Sequence, residues 1–324
     1  MDYKDSVHIP NSDERVTPGW HDLDYTPTPF NKSIETEAVE GRETCFTGQL
    51  PRDWCTASQS AHGGWCTGLF LATSRKYFQT KHPDRSQNDP VHIHTQFLNP
   101  LTAGAIFVAL RELKLGSRRS VIEITLQRSE SSPIVAIALI TMGDLSAKDM
   151  GPSIPTPPIK ITDRRDCQRW TDALFYYTDP TSRECRTYTP KGGPSPLWSP
   201  VLGQHARDQW VKLDDEERQF DIPSVGFVVD MVIPTPLNYQ KEALRGFMKY
   251  SFQTVSLALE FKRDPKGIEW LLSRISTDKI SNGTYDMDIK VLDDTGDLVA
   301  TCKHVCLMTP RSLLGKKGKA KAAL

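Results

Sequence analysis

The stretch AHGGWCTGLFLATSRKY, residues 61–77, reads as two glycines opening a long, mostly apolar helix. Trp65, Leu69, Leu71 and Ala72 recur at helical spacing, and Tyr77 follows further along. Residues three and four apart share one helix face, so the segment can be buried against a sheet. A glycine pair at a helix start frees backbone N–H groups to point at a ligand oxygen. The competing reading of Gly63 and Gly64 is close packing of helix on sheet, which a Cβ would obstruct. The helix is expected to stop near Lys81-His82-Pro83.

Outward from this helix the pattern turns to strands. Residues 34–39 and 44–48 precede it as short strands around Glu40-Gly41. Residues 91–98, 105–115, 120–128 and 134–142 follow it, with turns at Gly116-Ser117 and Ser131-Ser132-Pro133. A largely apolar helix followed by strands on short turns predicts a sheet wrapped around that helix. Residues 149–160 are proline-rich and read as a linker. The plan then starts again. Residues 170–177 and 209–213 are expected strands, separated by a polar insertion at 181–200. Residues 224–233, SVGFVVDMVI, form a second apolar helix stopped by Pro234 and Pro236. Strands are expected at 256–261, 268–275, 284–292 and 298–308. Phe97 precedes Asn99-Pro100 as Phe261 precedes Asp264-Pro265, 164 residues later. Val135-Ala136 and Val299-Ala300 are separated by the same 164. Order, spacing and linker together predict a tandem duplication.

The 324 residues hold 40 Lys+Arg and 40 Asp+Glu, so net charge gives no case for nucleic acid or an anionic membrane. No apolar run reaches the roughly 20 residues that a membrane span needs. The seven cysteines include no CxxC pair, so reduced thiols and a cytoplasmic setting are expected. The C-terminal AAL does not support a peroxisomal address. A P-loop, HExxH and GxSxG are all missing from the sequence.

Five stretches carry a family resemblance: HGGWCTG from His62, VHIHTQFLNPLTAG from Val91, RDQWVKL from Arg207, FQTVSLALEF from Phe252 with EWLL from Glu269, and DTGDLVATCKHVCLM from Asp294. In order and spacing the chain resembles the acyl-CoA thioesterase II family and its fungal thioesterase-like relatives. The resemblance implies an α+β double hotdog, two tandem units each with a long helix wrapped by an antiparallel sheet. Its boundaries would be an extended arm at 1–30, hotdog units at 31–148 and 166–312, a linker at 149–165 and a basic tail at 313–324. It implies an acyl-thioester or other hydrophobic small-molecule substrate, no cofactor, no metal and no nucleic-acid partner. It also allows a homo-oligomer.

In that family an Asp on the second helix, a Thr or Ser on the next strand and a Gln on the last strand activate a water. Matched position by position, these fall on Asp230, Thr254 and His304, the last a departure from Gln. Asp230 lies among Phe227, Val228, Val229, Met231, Val232 and Ile233. Burial there would raise its pKa unless partners compensate, as suits a general base. The bland reading places it on an exposed helix stripe. Thr254 can position a water, although Thr is a common strand residue. His304 shares a strand face with Cys302 and Cys306; it can orient water, pair with Asp230 or be purely structural. Those three residues on one strand face do not make a tetrahedral metal site unaided. His62, Gly63 and Gly64 would hold the thioester oxygen at the helix start. His92 and His94 read as sheet-surface residues. The leading expectation is hydrolysis of an acyl thioester by Asp-activated water. The alternatives are a non-hydrolytic dehydratase, isomerase or cyclase of natural-product biosynthesis, or a catalytically silent acyl- or lipid-binding protein.

Overall fold

The computed structural model describes residues 28–56, 58–147, 151–170, 181, 184–192, 201–213, 218–239 and 249–314. One antiparallel sheet runs through all of them. Its first half holds β1 (Thr36–Val39), β2 (Arg42–Leu50), β3 (Asp89–Phe97), β4 (Gly104–Leu115), β5 (Ser120–Gln127) and β6 (Ile134–Gly143). The second holds β7 (Cys167–Arg169), β8 (Cys185–Pro190), β9 (Ala206–Leu213), β10 (Tyr250–Phe261), β11 (Leu271–Ser276), β12 (Ile280–Ser281), β13 (Thr284–Leu292) and β14 (Leu298–Pro310). The spatial order is β1-β2-β4-β5-β6-β3-β10-β14-β13-β11-β9-β8-β7, with β12 beside β13. The halves meet where β3 pairs with β10, from Gln96 opposite Ser256 to His92 opposite Glu260.

The register makes the duplication visible. Ile93 faces Ile140 in β3–β6 and Leu257 faces His304 in β10–β14, each partner shifted by the same 164 residues. Both pairings carry a bulge at the matching place, between Pro90 and His92 and between Thr254 and Ser256. Leu110 opposite Ile124 and Ile275 opposite Ile289 are related by 165, one residue more.

Four α-helices belong to the described residues: α1 (Phe30–Ser33), α2 (Gly63–Lys81), α3 (Ile222–Val228) and α4 (Arg311–Leu314). The inner sheet face closes over α2 and α3, with Trp65, Leu69, Phe70, Leu71, Phe227 and Val228 fully buried. The two helices cross at glycines. A Cβ on Gly64 would collide with the Phe227 carbonyl oxygen, and one on Gly226 with Leu71. Phe30 fills the remaining gap, its ring 5.2 Å from both Trp54 and Phe227. A second cluster lies on the outer face of the later strands, where Ile159 and Ile161 cover Trp210, Leu272 and Leu292. Thr162 accepts from Trp210 Nε1 at 2.9 Å and donates to buried Asp208 at 2.6 Å. The end of the proline-rich segment is therefore docked to the sheet.

Several sequence expectations need correction. The second helix is not long: α3 ends at Val228, five residues before the expected limit. Asp221 and Ser224 form a capping box at its start. At its end Asp230 N and Met231 N reach back only three residues, to Phe227 and Val228. Pro234 disfavours helical backbone at Ile233, and side chains of β9 take the backbone groups of the following turn. The polar insertion at 181–200 contains β8, whose backbone pairs with β7 and β9 while Thr187 and Thr189 turn inward. Trp170 is not in a strand, and 171–177 lies outside the described residues. β10 begins at Tyr250, six residues earlier than expected. Of the expected arm only Thr28 to Phe30 lies among the described residues, and there Thr28 N donates to Asp53 and Trp54 Nε1 donates to Thr28 O, which agrees with an arm lying over the body. The tail beyond Leu314 lies outside the described residues.

Candidate active site

The backbone of α2 begins at a ring of polar groups. His62 is its N-cap, with Nδ1 accepting from Gly64 N–H at 3.1 Å. That contact places the His62 ring proton on Nε2. The same N–H donates to Asp230 Oδ2 at 2.8 Å, so two acceptors share one donor. His62 Nδ1 and Asp230 Oδ2 are consequently only 3.6 Å apart. Asp230 stands in the turn just after α3, its side chain 9% exposed, which rules out the exposed-stripe reading. The other carboxylate oxygen, Oδ1, accepts from Thr254 Oγ1 at 3.0 Å. Thr254 sits on the bulge of β10, where the strand can turn this side chain inward beside Cys306.

His304 projects from β14 toward the same oxygen, with Nδ1 3.7 Å from Asp230 Oδ1. It is completely buried, and neither ring nitrogen has a hydrogen-bond partner among the described residues. Burial lowers its pKa below the ordinary histidine value, and the nearby Asp230 charge opposes that shift only in part. The imidazole is held neutral and unspent, able to give or take a proton at the carboxylate. Buried thiols surround the group: burial raises Cys306 to about 12 and also raises Cys302, which leaves both as thiols rather than nucleophiles.

Five of the six site residues expected from the sequence thus come together through direct contacts: His62 and Gly64 from the first half, Asp230, Thr254 and His304 from the second. Gly63 belongs as well, for a Cβ there would lie 2.6 Å from Asp230 Oδ2 and 3.2 Å from Phe97 Cζ. The expected use of Gly64 changes, because its N–H is already shared between Asp230 and His62. The Gly63 N–H, first of the helix, has no acceptor among the described residues. Sequence reasoning missed Phe97, which closes on Gly63, and Tyr285, buried opposite Cys306 with its pKa raised by burial. Tyr285 shows only as an inward position of a strand, a weak signal. His92 and His94 lie on the outer sheet face, opposite Glu260 and Ala258 of β10.

Residues 50–143 match the model of the acyl-CoA thioesterase N-terminal domain, and residues 160–308 match that of the C-terminal domain. The chain belongs to the acyl-CoA thioesterase family. Among curated relatives of this thioesterase-family chain, the thioesterase-like protein TwmA of Talaromyces wortmannii is 24% identical, covering 91% of this chain and 97% of TwmA. Two solved structures share its fold. A hotdog protein of unknown function from Alicyclobacillus acidocaldarius superposes with a TM-score of 0.68 at 17% identity, over 86% of this chain and 97% of the other. The acyl-CoA thioesterase II TesB2 of Mycobacterium marinum gives 0.65 at 15%, over 87% and 99%. The double hotdog is therefore the fold of this thioesterase-family chain.

Proposed function

We propose that this protein hydrolyses an acyl thioester with water activated by Asp230. The observation that carries the reading is one carboxylate, nine-tenths buried, held from opposite sides by a helix N-terminus and a strand hydroxyl. Those two donors and the α2 dipole solvate the anion and fix its orientation, leaving lone pairs for a water proton. The water oxygen attacks the thioester carbonyl carbon as Asp230 takes its proton. The carbonyl oxygen becomes an oxyanion at the start of α2, where the Gly63 N–H is the unspent donor. Collapse breaks the C–S bond, and the proton held by Asp230 passes to the departing sulfur. Products are the free acid and the thiol. Thr254 keeps the carboxylate in register, and His304 orients the water as a neutral acceptor.

The test is thiol release from a panel of acyl-CoAs of different chain length, with Asp230→Asn beside the wild type. Release for at least one chain, abolished in the variant, supports hydrolysis at this site. Unchanged release by the variant rules the site out.

A second reading has an observation of its own. His304 Nδ1 stands 3.7 Å from Asp230 Oδ1 in the buried interior, and an imidazole beside a carboxylate suits acid–base work such as dehydration, isomerisation or cyclisation of a bound intermediate. His304→Gln separates the two, because it restores the amide that the family resemblance expects. Hydrolysis survives that change, while acid–base chemistry that needs the imidazole does not.

A further inference from the structure

The geometry points to Gln209 and Arg207, two buried residues of β9, as positioning residues for the Asp230 carboxylate. The inference rests on Asp230 being the working base, but it concerns how that base is held. Asp230 lies outside any helix, in a turn whose next residues, Met231, Val232 and Ile233, are all buried. A buried irregular segment must find partners for its backbone groups. Gln209 supplies two at once: its Nε2 donates to Met231 O at 3.0 Å and its Oε1 accepts from Ile233 N at 3.4 Å. This amide clasps the chain on both sides of Val232, beginning one residue from Asp230. Arg207 continues the clasp, donating to Ile233 O and, at 2.6 Å, to Asn238 Oδ1. Asn238 is tied in turn to Gln204, with Nδ2 donating to Gln204 O at 3.1 Å.

Neither residue is an economical way to fill a core. Arg207 is fully buried, and both partners of its guanidinium are neutral oxygens. The acidic neighbour on the strand, Asp208, is engaged on the other face by Arg274 and Thr162. A charge buried on neutral partners is costly relative to apolar side chains of similar volume. What the arrangement gains is a fixed path for the turn, and so a fixed direction for the carboxylate that meets Gly64 and Thr254. The RDQWVKL stretch is thus assigned a role at the site while touching none of the reacting atoms.

The Gly64 amide reports the carboxylate position, because Asp230 Oδ2 is the nearer of its two acceptors. With isotope-labelled protein, the amide resonance of Gly64 is compared in wild type, Asp230→Ala, Gln209→Met and Arg207→Lys. Asp230→Ala marks where the signal moves when the acceptor is lost. Positioning predicts that Gln209→Met moves it at least a third of that way, with amides at the far end of α2 unmoved. It also predicts kcat at least tenfold lower with KM within twofold, per folded molecule. A Gly64 signal and a kcat both at wild-type values overturn the inference. If Gln209→Met does not fold, Arg207→Lys carries the same comparison, since it keeps the charge and loses the two-pronged donor. If Asp230→Ala hydrolyses like the wild type, the reading of the base fails. The Gly64 shift then still decides whether Gln209 positions that carboxylate.

Discussion

Replacing Gly63 by alanine adds a single methyl group at the point where the two halves meet the base. The new Cβ would lie 2.6 Å from Asp230 Oδ2 and 3.2 Å from Phe97 Cζ. Ordinary contact begins near 3.4 Å, so the carboxylate must retreat by ~0.8 Å if the helix stays in place. A displacement of that size at reacting groups costs about 10²-fold in rate, or roughly 2.7 kcal/mol of barrier at 1.36 kcal/mol per decade. Overpacking costs stability by about 1–3 kcal/mol, and the better helix propensity of alanine returns up to ~1 kcal/mol. A folded protein, slightly destabilised and about a hundredfold slower, is the expected outcome. Thiol release under saturating acyl-CoA gives kcat, and a thermal melt gives the stability. KM should change little, because the added methyl acts on a carboxylate that the proposal assigns to chemistry rather than to acyl binding. A Gly63→Ala protein with kcat within threefold of wild type would refute this account of the site's tightness. Gly64→Ala is a harsher companion, since its methyl meets a backbone carbonyl that cannot rotate away.

Asp230→Asn should remain folded: its amide oxygen can take the Gly64 N–H while Thr254 reverses to accept, and kcat should fall about 10²–10⁴-fold in the thiol assay. Thr254→Val removes a hydrogen bond to a charged group, for which about 1.5–3 kcal/mol, or roughly 10–100-fold in kcat, is expected. His304 is a buried base whose folded pKa lies below its unfolded value of 6.5, so the native state binds fewer protons in that window. Its contribution to stability is complete above that value and is lost as pH falls from there through the lower folded pKa; denaturant titrations of His304→Gln should show a flatter acid loss. Phe30→Ala empties the gap between α2 and α3 and should cost about 3–5 kcal/mol in chemical unfolding.

Much of this was legible in the sequence where one periodicity rules a segment. The run from Gly63 to Lys81 and the strands β5, β6, β13 and β14 keep an unbroken pattern, and the structure follows it within a few residues. Asp230 stood out as the one carboxylate in an apolar run. The end of α3 was not legible, because SVGFVVDMVI is apolar but for Ser224 and Asp230 up to its last residue, and the turn after the helix is held by Gln209 from another strand. β8 was hidden for a similar reason: Arg186, Thr187 and Thr189 look polar until a neighbouring strand pairs with them. The double use of the Gly64 N–H was beyond reach, since its acceptor Asp230 is 166 residues away. Position matching brought Thr254 and His304 forward, and no local pattern could have placed them against the same oxygen.

The register of the duplicated strands sets Pro90 where the second half has Thr254, and Ile140 where it has His304. A proline has no hydroxyl and an isoleucine no proton to move, so at these positions the polar groups belong to the second half alone. The first half nonetheless contributes the helix start whose Gly64 N–H meets the Asp230 carboxylate. Neither half is a miniature of the whole, and cutting the chain between them would separate the anion from its cradle.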